Sequence, residues 1–190
     1  MEKYPGKKNT AVFISGRGSN LKSLIKYSKK KKSLIKIILV ISNNPDAEGL
    51  KYASRSKIKI YRINNKSNFE NKSLKLLKKY NTDLICLAGF MKILSGNFIK
   101  QFSKPILNIH PSLLPKYKGL NTHERAIKNK DQFAGASIHK VTEKLDSGKV
   151  ILQKKVKILK SDNVRSLKKK VLKIEHEIYS KAIDKFLTNL

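Results

Sequence analysis

Four short apolar runs, "TAVFI" (10–14), "IKIILVIS" (35–42), "IKIYRI" (58–63) and "DLICLA" (83–88), recur along the first half of the chain. The connections after the first three carry helical periodicity. "NLKSLIKYSKK" spaces Leu21, Leu24 and Ile25 along one face. "NNPDAEGL" opens a second helix near Asn44 or Pro45 that runs to about Ser54, and "FENKSLKLLKKY" is a third, amphipathic one. Mostly apolar strands alternating with helices predict an α/β fold: a mostly parallel sheet buried on both faces. A fifth strand lies in "KPILNIH" (104–110), followed by a short helix at 122–129. "GASIHKVT" and "GKVILQKKVKI" read as two further strands around an "EKLDS" turn. The closing helix puts Leu167, Val171, Ile174, Ile178 and Ile183 on one stripe.

The 190 residues are enough for one domain with a real core, and no repeat, Gly/Ser linker or composition break divides them. A lone cysteine, Cys86, excludes an internal disulfide and fits a reducing cytoplasm. No segment has the length of a membrane span, and "MEKYPGKKNT" lacks the apolar core of a signal peptide. The net charge of +30 invites a polyanion partner. The excess is lysine rather than arginine, however, and it is spread over every segment, with tight runs only at 29–32 and 168–170. That pattern predicts a solvated basic surface and no specific nucleic-acid recognition.

In parallel sheets, ligands bind beyond the carboxyl ends of the strands. Two motifs stand there. "SGRGSN" (15–20) follows the first strand and opens a helix, where glycines and free N–H groups favour a phosphate; an ordinary tight turn capped by Ser19 or Asn20 is the plainer reading. It has neither the GK[ST] of a Walker loop nor the third glycine of a dinucleotide fingerprint. In "ILNIHPSLLP", Asn108 and His110 are two apart on a strand and so share a face, with Pro111 and Pro115 fixing the backbone beyond. An amide and an imidazole side by side can both point at an oxygen gaining negative charge. Asp146, in "LDSG", is a candidate partner for the imidazole, and equally good turn chemistry. His123, His139 and His176 carry less: a first-turn position, an alternating strand position, and a helix position beside Glu175. No zinc spacing and no GxSxG elbow occur, so a metal site is not expected. These ingredients suit transfer or hydrolysis of an acyl-type group on a phosphorylated small molecule.

"NIHPSLLPKYKGL", joined to "LAGFMKILS" (87–95), "SGRGSNL" and "DSGKVILQ", resembles the folate-dependent glycinamide ribonucleotide transformylases, over about residues 10 to 185. The resemblance implies a single Rossmann-like formyltransferase domain, with a ribonucleotide-phosphate half at about 10–100 and a folate and catalytic half at about 101–190. It implies 10-formyltetrahydrofolate as donor and 5-phosphoribosylglycinamide as acceptor. Asn108 and a protonated His110 would stabilise the tetrahedral oxyanion, and Asp146 would hold His110 in its charged form. Gly18, Ser19 and Asn20 would cradle the phosphate and Glu175 would contact the ribose. Folate would lie along Met91, Lys92, Ile93 and Leu94, with Asn108 near its formyl group and Lys66 near its tail. The expected partners are these small molecules, with no membrane and a monomer or weak homodimer. Arg17, Asn121 and Leu172 depart from the family's usual residues. Methionyl-tRNA formyltransferase and formyltetrahydrofolate hydrolase are sibling alternatives, and a basic noncatalytic nucleic-acid binder is the reading from outside the class.

Overall fold

Seven strands make one sheet in the order β3-β2-β1-β4-β5-β6-β7. In chain order the elements are β1 (Lys8–Ile14), α1 (Ser19–Ser28), β2 (Ile35–Ser42), α2 (Leu50–Arg55), β3 (Lys59–Arg62), α3 (Phe69–Lys79), β4 (Leu84–Leu87), α4 (Gly96–Phe102), β5 (Ile106–His110), α5 (Thr122–Lys128), β6 (Phe133–Lys140), β7 (Val150–Lys157) and α6 (Val164–Thr188). This computed structural model describes residues 6–64 and 68–189. Its chain divides into two compact units, Met1–Leu107 and Asn108–Leu190.

In the first unit, β1 pairs in parallel with β2 (Val12 opposite Val40) and with β4 (Val12 opposite Cys86), and β2 pairs in parallel with β3 (Val40 opposite Ile60). The parallel reading of the apolar runs holds. From Ala11 to Ile14, β1 is fully buried, as strands covered on both faces must be. Phe13 is the aromatic centre of this core, edge-on to Phe69, Phe90 and Phe98 with ring centroids 5.4–6.3 Å apart.

Two elements differ from expectation. Helix α2 starts at Leu50, not near Asn44. The Asn44 side chain accepts the Asp46 N–H at 3.0 Å, and the Ser42 hydroxyl accepts the Asn44 N–H at 3.2 Å. These local bonds give residues 42–46 an alternative to the helix ladder and delay it. Helix α4 has no counterpart in the sequence reading, because seven residues are too few to show a period. The Ser95 hydroxyl caps it by accepting the Phe98 N–H, while the Glu70 carboxylate holds Ser95 by its N–H and hydroxyl.

In the second unit, β6 and β7 form an antiparallel pair, with Ser137 opposite Gln153. Helix α6 packs on both strands. Its predicted stripe of Leu167, Val171, Ile174, Ile178 and Ile183 is buried. A capping box starts it: Asn163 Oδ1 accepts the Ser166 N–H at 2.9 Å, and Ser166 Oγ accepts the Asn163 N–H at 3.1 Å. Among the described residues no helix is long and apolar enough to cross a membrane.

Candidate active site

Strand β5 ends on Asn108 and His110, and the backbone beyond is held by β6 and β7. Ser137, fully buried on β6, donates its hydroxyl to the Ser112 carbonyl at 2.5 Å. The same oxygen accepts the Leu114 N–H at 3.1 Å and the Gln153 Nε2–H at 2.7 Å, which uses its whole hydrogen-bonding capacity. Gln153 also donates to the Leu114 carbonyl at 3.0 Å. The proline loop is therefore tied to two strands and not left to its prolines alone.

Asp146 gathers the polar side chains of this unit. It sits 8% exposed in the loop after β6, at φ 45, a left-handed conformation that aspartate tolerates better than most residues. Its Oδ2 accepts the Gly119 N–H at 2.9 Å and lies 3.3 Å from His110 Nδ1. Its Oδ1 lies 3.4 Å from His139 Nε2. His139 Nε2 in turn meets the Asn108 amide nitrogen at 3.1 Å, and its Nδ1 meets the Lys140 carbonyl at 3.1 Å. His110 Nε2 donates to the Tyr117 carbonyl at 2.8 Å. Asn108, His110 and Asp146 thus converge, and a second imidazole joins them. Sequence gives that second imidazole little weight, because it alternates within a strand as a core residue does.

Burial decides much of the electrostatics. It pushes the His110 imidazole below its usual pKa, against the Tyr117 carbonyl and the Asp146 charge, which both favour the proton. The Asp146 charge favours a protonated His110, but desolvation outweighs it. Burial would raise the Asp146 carboxyl; the bond with His139, the Gly119 N–H and the His110 charge overcome it, so the carboxyl lies below its ordinary range. Nearby His123 is pushed down to about 4, mainly by burial and then by the charges of Lys168 and His110. Its Nε2 is buried without a hydrogen-bond partner.

In the first unit, "SGRGSN" folds as a tight strand-to-helix connection. Gly18, not Ser19 or Asn20, takes the N-cap position of α1, in the left-handed region at φ 72, and no side chain caps the helix. A Cβ on Gly18 would fall 2.4 Å from Gly49 Cα, so the two backbones touch because neither residue has a side chain. Ser15 ties this loop to its neighbours: its hydroxyl donates to Asn43 Oδ1 at 2.6 Å and accepts the Met91 N–H at 2.8 Å. The first-turn N–H groups of α1, in the Ser19–Asn20 turn, are of the kind that accept an anion.

The remaining predicted residues are distributed plainly. Met91 and Ile93 are 71% and 66% exposed, large apolar side chains open to solvent, while Lys92 is half-buried. Leu94 is in the core, 5% exposed, so it offers a ligand backbone and not side chain. Glu175 is buried on α6. Lys66 lies outside the described residues. Besides His139, sequence reading missed Ser137, Gln153 and the Tyr117 carbonyl, whose partners are distant in sequence and carry no local signal.

Comparison with known proteins adds the relationship. Residues 8–183 match the family model described as formyl transferase. The chain is 39% identical over 183 residues to the phosphoribosylglycinamide formyltransferase of Escherichia coli (strain K12), covering 94% of this chain and 86% of that protein. It is 40% identical over 184 residues to the trifunctional purine biosynthetic protein adenosine-3 of Bos taurus, covering 94% of this chain and only 18% of that much longer protein. Among solved structures, a phosphoribosylglycinamide formyltransferase from Brucella melitensis superposes with a TM-score of 0.90 at 39% identity, over 95% of each chain. One from Anaplasma phagocytophilum gives 0.88 at 41% identity, over 92% of this chain and 84% of that one.

Proposed function

Since the chain belongs to the formyl transferase family, we propose that it moves the formyl group of 10-formyltetrahydrofolate onto the amine of 5-phosphoribosylglycinamide, a step of purine synthesis. The amine nitrogen attacks the formyl carbon and the carbonyl π pair moves to oxygen, giving a tetrahedral oxyanion. Collapse breaks the bond from carbon to the folate N10. The proton lost by the amine ends on that nitrogen, leaving tetrahydrofolate and the formylated ribonucleotide.

Each residue has a task in this scheme. Asn108 donates an amide N–H to the oxyanion, and His110 donates its Nε2–H there by giving up the Tyr117 carbonyl that this N–H holds. Asp146, held ionised by its hydrogen bonds, supplies the negative charge that an imidazolium at His110 needs, and relays the proton through that ring. Burial lowers the proton affinity of His110, which makes it a stronger acid once protonated. Gly18, Ser19 and Asn20 hold the phosphate and Glu175 the ribose. The exposed apolar Met91 and Ile93, with Lys92 and the backbone at Leu94, receive the folate, and Lys66 its acidic tail. The 190 residues serve as one formyltransferase domain, with small molecules as the only required partners.

The observation that carries this reading is the buried Asp146 carboxylate 3.3 Å from the His110 ring, with Asn108 on the same strand face. The test is turnover of 10-formyltetrahydrofolate, followed by absorbance with and without the ribonucleotide. Turnover that needs the ribonucleotide is the expected result. Loss of formyl without it would make the protein a hydrolase, and no turnover from folded protein would overturn the reading.

A further inference from the structure

His139 is 2% exposed, and the scheme above gives it no task. A buried imidazole with polar partners on both nitrogens is rarely idle. Its Nδ1 faces the Lys140 carbonyl at 3.1 Å. A carbonyl oxygen only accepts, so Nδ1 carries a hydrogen. Its Nε2 faces two groups, the Asp146 Oδ1 at 3.4 Å and the Asn108 amide, placed with its nitrogen toward the ring, at 3.1 Å.

With Nδ1 protonated, a neutral ring leaves a lone pair on Nε2. That lone pair would confront a carboxylate oxygen that can only accept as well. Hydrogen on both nitrogens removes the conflict: Nδ1–H serves Lys140 and Nε2–H serves the Asp146 side. The choice then reaches Asn108. A primary amide has one accepting and one donating prong, and its partners decide which faces which way. If Asn108 gives one N–H to a bare Nε2, only one N–H is left to face outward, and the amide oxygen turned outward beside it repels a developing oxyanion. If Nε2 carries hydrogen, the half-turned amide gives its oxygen to the ring, where it shares that hydrogen with Asp146 Oδ1, and both amide N–H groups face away from it.

We propose that His139, with N–H on both ring nitrogens, is a positioning residue that locks the Asn108 amide with its oxygen toward the ring and its N–H groups toward the formyl oxygen. The catalytic consequence rests on the formyl-transfer reading; the state of the ring does not. The charged and titratable groups facing His139 are Asp146 and the second imidazole, His110, with the uncharged Asn108 amide and Lys140 carbonyl completing its surroundings.

Two measurements test it. Long-range proton–nitrogen correlation spectra of the intact, unliganded protein near neutral pH should show both His139 ring nitrogens bearing hydrogen. A bare Nε2 overturns the proposal whether or not the protein turns over folate. In the turnover assay, His139→Ala should lower kcat by roughly a hundredfold, the scale of losing one oxyanion donor, with KM for the ribonucleotide within about twofold. His139→Gln places an amide N–H group near the Nε2 position and should stay within about tenfold of the parent kcat. A Gln variant that falls as far as Ala, or a loss that appears in KM, overturns it. Failure of the parent protein to turn over would instead strike at the formyl-transfer reading, and the spectra would still decide the ring.

Discussion

At the scale of single residues, Asp146 is the node of the polar cluster. Its two oxygens face different imidazoles, so replacing it disturbs both rings at once. His110→Ala and Asp146→Asn are each expected to lower kcat by about 10²–10⁴-fold, while the ribonucleotide binds within a few-fold of its original affinity. Single-turnover rates and calorimetric titration separate the two quantities, and an equal loss in both would remove these residues from the chemical step. His123 supports a different prediction. Its folded-state pKa of about 4 is below that of a free histidine near 6.5. Between those values the unfolded chain binds a proton that the folded chain refuses, so stability is full above about pH 6.5 and falls on acidification. The shifts of His110 and Asp146 have the same sign, the latter acting only at lower pH. Denaturant titrations at pH 7 and pH 5 should therefore show a smaller acid loss for His123→Gln than for the parent. Identical losses would mean that His123 titrates normally.

At the scale of elements, the contact between the turn at Gly18 and the start of α2 at Gly49 makes an unequal prediction for similar substitutions. Gly49→Ala would put a Cβ 2.7 Å from Gly18 Cα. It is expected to destabilise the fold by about 1–3 kcal/mol, the usual cost of overpacking. Gly16→Ala, in the same loop, meets nothing within 4 Å and should change stability little. Chemical denaturation of both variants is the check; equal effects would mean that the loop has room the close approach denies. This part of the chain also shows what could be read from sequence. The long elements were legible because repetition reveals them: β2 is apolar except at Lys36 and Ser42, and α6 repeats its stripe over 25 residues. The start of α2 was not, since one asparagine turn displaced it, nor was the seven-residue α4. The pairing of Asn108 with His110 was legible from alternation alone. The place of His139 was not, because it depends on β5 and β6 being neighbours in the sheet, which no local pattern states.

At the scale of the whole molecule, a formal charge of +30 on 190 residues must repel itself. Acidic partners engage some of the lysines, such as Lys116 with Asp131 at 2.6 Å and Lys154 with Glu177 at 2.6 Å. Most of the charge has no such partner to draw on, because the chain has 13 acidic residues against 43 basic ones. Screening should therefore help the folded state. Raising sodium chloride from about 20 to about 300 mM is expected to lift the melting temperature by a few degrees, a shift that differential scanning calorimetry resolves. A melting temperature that falls with salt would mean that local ion pairs outweigh the net repulsion. The basic excess also has a bearing on how the sheet ends. β7 is a border strand with one row of backbone groups unpaired by the sheet, and it carries Lys154, Lys155 and Lys157. Two such borders meeting in a crowded solution would bring lysine against lysine before any hydrogen bond could form. The lysines of this border thus oppose edge-to-edge pairing between copies of the chain.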